Sequence, residues 1–239
     1  MVANRELHKL FDTAQLQIES LKGKHFSVLQ KDVYLTRGYH QFVENRVAVS
    51  QESKIVVEDI RQLYKPRQKL TIGKKFDGGV YLKYPDDYGY AMSLDVMAKG
   101  PECDTEDRIT ASLQKSEKHP AILQDPNHKP SWGWRRAIFV DTSIGIMLYT
   151  NNEFTVTTAY LDYYYKPGQI VSPGLVVGLE YKSYDGTVPE KDLSMVLDSA
   201  NQKYKVVNLA VMQATRDQGS QSDYQLLLSK MQAEETAYL

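Results

Sequence analysis

Residues 70–85 read LTIGKKFDGGVYLKYP. Leu70 and Ile72, then Val80 and Leu82, recur every second residue, which is the period of a half-buried strand. Gly78-Gly79 divides the stretch and marks a turn between two strands. Residues 88–98, YGYAMSLDVMA, continue in the same manner. The helical spacing that governs the chain before this point therefore stops here.

Upstream, Leu7, Leu10, Phe11, Ala14, Ile18 and Leu21 form one helical stripe, and Gly23 stops it. Ser27 with Gln30 three residues on predicts a capping box. The helix it opens would carry Val28, Asp32, Leu35, Tyr39, Phe42, Arg46 and Val47 along one side. Ser53 is placed to cap a third helix with Val56, Ile60, Leu63 and Tyr64 inward, ended by Pro66. Three antiparallel helices over 1–66 are expected.

Downstream, residues 100–133 are polar and contain Pro101, Pro120, Pro126 and Pro130. They read as a long loop with a short helix near 105–116, and a loop of that length is usually functional or orders against a partner. Strand signals resume in RRAIFVDT, IGIMLYT, FTVTTAYLDYYYKP and LVVGLEYKS, with Asn151-Asn152 as a hairpin turn. Leu193, Val196, Leu197, Ala200, Tyr204, Val207, Val211 and Ala214 restore the helical period. DQGSQS interrupts it, and Tyr224, Leu227, Leu228 and Met231 resume it. The expected fold is α+β: an N-terminal helical bundle (1–66), an antiparallel β-sheet insertion (67–188) and a long C-terminal helical region (189–239) packing back on the first helices.

Composition narrows the function. The 239 residues are 42% hydrophobic and 25% charged with a net charge of −1, which excludes bulk disorder and rod-like repeats. Near-neutral charge argues against wrapping nucleic acid by global electrostatics. A single cysteine, Cys103, leaves no internal disulfide and no multi-cysteine metal site, and its acidic neighbours Asp104, Glu106 and Asp107 do not activate a thiol. No run approaches the roughly 18 apolar residues of a membrane span, and MVANRELHKL lacks the form of a secretory signal. A cytoplasmic setting and no membrane partner are expected. Seventeen tyrosines suit strands or subunit interfaces equally.

Charge is unevenly spread. Residues 1–76 hold 14 Lys/Arg against 8 Asp/Glu, and the remainder holds 15 against 22. Such halves suit complementary surfaces between copies or partners. Within the basic half, Arg61, Lys65, Arg67, Lys69, Lys74 and Lys75 lie in a stretch without an acid. They form a surface toward phosphates or an acidic partner, or a helix end and strand edge protected by lysines. Trp132 and Trp134 flank Gly133 and either stack on a sugar or base or anchor a core or interface.

Catalytic patterns are weak. Gln68 and Lys75 stand where a phosphate-binding loop around Gly73-Lys74 requires Gly and Ser/Thr. His8, His25, His40, His119 and His128 form no metal-ligand spacing, and no GxSxG occurs. Asp86, Glu180 and Lys182 contain the residue types of a metal-dependent nuclease, although the two pieces lie far apart. The alternatives are that nuclease and a glycan- or single-strand-binding module presenting Trp132 and Trp134. No enzyme, catalytic residue, metal or cofactor is expected.

The order of several segments resembles that of head-to-tail connector (ring or adaptor) proteins of tailed bacteriophages, especially the crAss-like group. In HFSVLQKDVYLTRGYHQFVENRV, residues Asp32, Tyr34, Leu35, Phe42, Val43 and Arg46 match that family's second-helix pattern. Thr36, Gly38 and Tyr39 replace its usual Asn-x-Ala-Gln. VEDIRQL, VYLKYPDDYGY, KPSWGWRRAIF and YLDYYYKPGQI resemble its later segments, so the likeness spans roughly residues 5–235. The resemblance implies a virion structural protein without catalysis, placed at the head–tail interface and assembled in the host cytoplasm. It further implies a ring, commonly of twelve copies, that stacks on the portal, meets tail or further ring proteins, and lines the path of genomic DNA without sequence specificity. Trp132, Trp134, Tyr224, Leu227, Leu228 and Met231 are then interface candidates.

Overall fold

The computed structural model describes residues 3–101, 105–114, 119–168, 197 and 200–236. The chain divides into two compact units. One holds residues 1–52, 57–62 and 167–239, and the other holds 53–56 and 63–166.

The first unit is helical. Helix α1 spans Ala3–Leu16 and α2 spans Val28–Ser53. The capping box forms as read: the Ser27 amide donates to Gln30 Oε1 at 2.9 Å and the Gln30 amide to Ser27 Oγ at 3.3 Å. Asp32, Leu35, Gly38, Tyr39, Phe42, Val43, Val47 and Ser50 are buried along α2, at the expected helical spacing. The buried Asp32 meets His8 Nε2 at 2.8 Å, which satisfies a carboxylate that would otherwise be costly to bury. Helix α4, Ala200–Asp217, is buried on nearly all sides from Val206 to Thr215, as befits a central helix. Gly38 makes room for it: an added Cβ would lie 2.6 Å from the Val206 carbonyl oxygen. Gly38 thus stands where two helix backbones touch.

Two helical expectations need correction. The third helix is only a 3-10 turn, Glu58–Leu63, and Tyr64 already belongs to a strand. Ser53 ends α2 rather than capping a new helix, and Lys54 turns the chain at φ 60°. At the C-terminus the described residues form two separate helices and not one long region, parted within the DQGSQS interruption that the sequence shows. Helix α4 breaks at Gly219 (φ 78°), and α5, Gln221–Thr236, follows as a separate helix.

The second unit is a closed seven-stranded barrel, which overturns the expected antiparallel sheet insertion. Its strands are β1 (Tyr64–Phe76), β2 (Gly79–Lys83), β3 (Tyr88–Lys99), β4 (Asp107–Gln114), β5 (Ala137–Asp141), β6 (Ile146–Tyr149) and β7 (Thr155–Tyr165). Their order around the wall is β1-β2-β6-β5-β4-β3-β7, closing back on β1. All pairs are antiparallel except β4 with β5. A parallel pair needs a crossover, and helix α3 (His119–Gln124) lies on it. Ile122 and Leu123 of α3 cover Ile138 and Val140 on the outer face of β5, while Phe139 points into the core. Strand β5 is therefore apolar on both faces, and AIFV runs without alternation.

The expected loop at 100–133 thus contains a strand and a helix, and the short helix near 105–116 is strand β4. Asn151 and Asn152 do turn at positive φ (52° and 57°), but β6 and β7 are not neighbours, so the turn links strands across the barrel end instead of making a hairpin. Leu94, Val96, Ile109, Phe139, Leu148 and Leu161 fill the interior. Each such side chain contributes roughly 1.5–3 kcal/mol on burial. The segment LVVGLEYKS lies outside the described residues.

Candidate functional site

The two tryptophans occupy a tight turn whose ends are bridged, with Ser131 and Arg136 exchanging backbone hydrogen bonds at 2.9 Å. Four residues between them force the two indoles apart. Trp132 lies against the backbone of Gly100, where an added Cβ would come within 2.5 Å of its ring, and 6.1 Å from the Phe154 ring. Its amide donates to Glu153 Oε2 at 2.9 Å. Burial pushes the Glu153 carboxyl up, but the hydrogen bonds it accepts from Trp132, Ser131 and Asn151 outweigh this and hold it below the usual range. The Arg135 guanidinium covers the other side of Trp132 at 3.9 Å from the ring centroid and pairs with Asp107. Arg136 donates to the Asn127 carbonyl oxygen. Trp134 has no such cover and is 79% exposed. The pair is therefore an anchor and a presented ring, not a two-ring platform.

The basic run is also divided. Arg61 lies in the helical unit and pairs with Glu58 at 3.3 Å. Lys65, Arg67, Lys69, Lys74 and Lys75 ride on β1. Lys65 is engaged: it pairs with Asp87 and sits 5.5 Å from the Tyr165 ring centroid. Arg67, at φ 48° in a bulge, donates its amide to Asp162 Oδ1 at 2.6 Å and lays its guanidinium 5.1 Å from the Tyr160 ring centroid. Lys69, Lys74 and Lys75 are exposed and form no ion pair with the described residues. These three lysines thus run from the middle of β1 to its C-terminal end.

At the other end of the barrel lies a cluster that residue spacing did not reveal. Tyr84 and Tyr88 stack with centroids 4.1 Å apart, and both hydroxyls donate to the Asp141 carboxylate. Tyr163 donates to Asp87 Oδ1 at 2.6 Å. Burial first, then the adjoining carboxylates, push the phenols of Tyr84, Tyr88 and Tyr163 far above their ordinary value. Burial and Asp162 push Tyr64 up to about 12. Burial raises Asp87, but the Lys65 ammonium and the Tyr163 hydroxyl prevail and hold it low. Phenols held neutral in this way act as hydrogen-bond donors that fasten the β2–β3 and β5–β6 turns and the ends of β1 and β7 together. The tyrosine count was the only sequence signal for this cluster.

Asp86 is exposed on the β2–β3 turn, while Glu180 and Lys182 lie outside the described residues, as does Cys103. Among the described residues no group of three His, Cys, Asp or Glu side chains is placed to hold a metal ion. His128 meets Asp125 at 2.6 Å, and His40 lies 3.2 Å from the Gly168 carbonyl oxygen. On α5, Tyr224, Leu227 and Leu228 are half-buried, and the Met231 side chain lies outside the described residues. The α5 start is tied down by Asp223, which accepts from the Ser20 amide at 3.1 Å. Among the described residues no helix is long and apolar enough to cross a membrane. No protein-family model matches the chain, and no curated protein matches it.

Proposed function

We propose that the chain is a virion structural protein, a subunit of a head-to-tail connector ring that joins the portal to the tail and lines the DNA path. Its partners in this reading are copies of itself, the portal protein and the tail or further ring proteins. Genomic DNA passes through the lumen without sequence-specific contact. The ordered segments from Asp32 to Pro167 support the reading, as do the oppositely charged parts of the sequence, since a ring interface joins two different faces.

The observation that carries it is Trp134. Its turn is bridged at the base, packed on Gly100 and braced by Arg135 and Arg136, yet the ring itself is 79% exposed. A large aromatic side chain presented to water on an anchored turn backbone is the form of a protein–protein hot spot, in which tryptophan is enriched. The second tryptophan is covered by Arg135, which weakens the reading of a two-ring stacking platform for sugars or bases.

The test is co-sedimentation of the full chain with its portal, comparing wild type with Trp134→Ala. The substitution removes no intramolecular support, so the variant should fold with unchanged stability and lose at least tenfold in association. Unchanged association would remove Trp134 from the interface and take the main support from the proposal.

A further inference from the structure

Strands β1 and β7 close the barrel over only part of their length. Their ladder runs from Tyr64 opposite Tyr164 to Leu70 opposite Ala159. Strand β1 continues to Phe76 and β7 begins at Thr155, and no β1–β7 pairing joins these remaining parts. Each part is paired on its other side, to β2 and to β3 respectively. Both carry a bulge at this level. Strand β1 has one extra residue between Ile72 and Lys75, and β7 has one at Thr157, opposite Met97 and Ala98. The Thr157 hydroxyl donates to the Met97 carbonyl oxygen at 3.0 Å, which holds the β7 bulge in place. Bulges bend a strand and disrupt its ladder. Here two of them flank an opening.

That opening contains a cavity of about 400 Å³ lined by Lys69, Leu70, Thr71, Ile72, Thr157 and Thr158. A second cavity, of about 150 Å³, continues from Ile72 toward Phe154. The rim on the β1 side carries Lys69, Lys74 and Lys75, while Thr155–Thr158 carries no charge. A free strand edge offers N–H donors and C=O acceptors in turn, so a ligand that satisfies it must supply both. A polypeptide does so, and a phosphodiester chain, with acceptors alone, does not.

We propose that this opening receives one extended, acidic segment of another protein chain, which pairs with the edge of β1 that is free among the described residues. The segment would be four to six residues long, about 13–20 Å when extended. Its apolar residues would alternate toward Ile72 and Val156, and its carboxylates would meet the lysines. Lysines on a free edge also deter pairing with a like edge. That deterrence acts against a second basic strand and spares an acidic one, so the same residues select the partner. The inference does not rest on the connector reading, because the segment is defined by its chemistry.

Hydrogen exchange on the full chain tests it, with the synthetic peptide acetyl-EVTVEVE-amide as probe and acetyl-KVTVKVK-amide as its charge-reversed control. The acidic peptide should slow exchange of those Thr71–Phe76 amides that point away from β2 at least tenfold and bind at least tenfold tighter than the control. Lys69→Glu with Lys74→Glu and Lys75→Glu, all at exposed positions, should reverse the preference. Equal binding of the two peptides, protection elsewhere on the barrel, or no protection at millimolar acidic peptide would each overturn the proposal. So would protection of these amides by a thymidine oligonucleotide but not by peptide, which would make the opening a phosphate site.

Discussion

Replacing Gly38 by alanine tests the closest contact in the helical unit. A Cβ at this position would lie 2.6 Å from the Val206 carbonyl oxygen, 2.7 Å from the Ala210 nitrogen and 3.1 Å from the Ala210 Cα. All three are backbone atoms, so no rotamer change relieves the overlap. Helix α4 would have to retreat by about 0.8 Å to reach ordinary contact near 3.4 Å. Overpacking of this kind costs about 1–3 kcal/mol. Alanine recovers about 1 kcal/mol over glycine in a helix interior. The net expectation is a loss of up to about 2 kcal/mol, read as a lower midpoint in urea at unchanged slope. Ala210→Gly should not rescue it, because the contacts are to the main chain of Ala210 and not to its methyl group. A Gly38→Ala variant more stable than wild type, showing the helix-propensity gain without the overlap cost, would refute the close crossing.

Other outcomes follow from the barrel. Gly100→Ala places a methyl group within 2.5 Å of the Trp132 ring, and should change tryptophan fluorescence and lower stability while leaving Trp134 exposed. Asp87 is held below the ordinary carboxylate range, so its contribution is complete above about pH 4 and is lost as pH falls through the lower folded value. The stability difference between wild type and Asp87→Asn should therefore shrink below pH 4, and a difference that persists unchanged would contradict the Lys65–Asp87–Tyr163 arrangement. The raised phenols of Tyr84, Tyr88 and Tyr163 make the opposite prediction. Their contribution is complete below about pH 10 and declines as the unfolded state ionises above it. Absorbance at 295 nm should rise near pH 10 for exposed tyrosines and again only as the barrel unfolds. A single transition near pH 10 would show the cluster to be open to water.

Local signals were legible where local chemistry decides the outcome. Ser27 and Gln30 sit three residues apart and form the capping box they suggest. The alternation of Leu94, Val96 and Ala98 reads directly as one face of β3. Closure was not legible, because a strand has the same period in an open sheet and in a barrel. The stretch 100–133 looked like a loop because β4 and α3 are short and bounded by prolines, and α3 shows only Ile122 and Leu123 to its strand. At the candidate site, the lysine row on β1 was visible as a charge run, but the bulges that open the wall depend on pairing partners distant in sequence. Trp132 and Trp134 are two residues apart and would share a face in a strand. The Ser131–Arg136 bridge turns that spacing into opposite fates.

The central proposal is membership of a connector ring, and mass photometry of the full chain mixed with its portal tests it most directly. The account predicts portal particles carrying this chain in equal copies, whether it is a monomer or a closed ring when alone. Portal particles that gain no mass at saturating protein would contradict it.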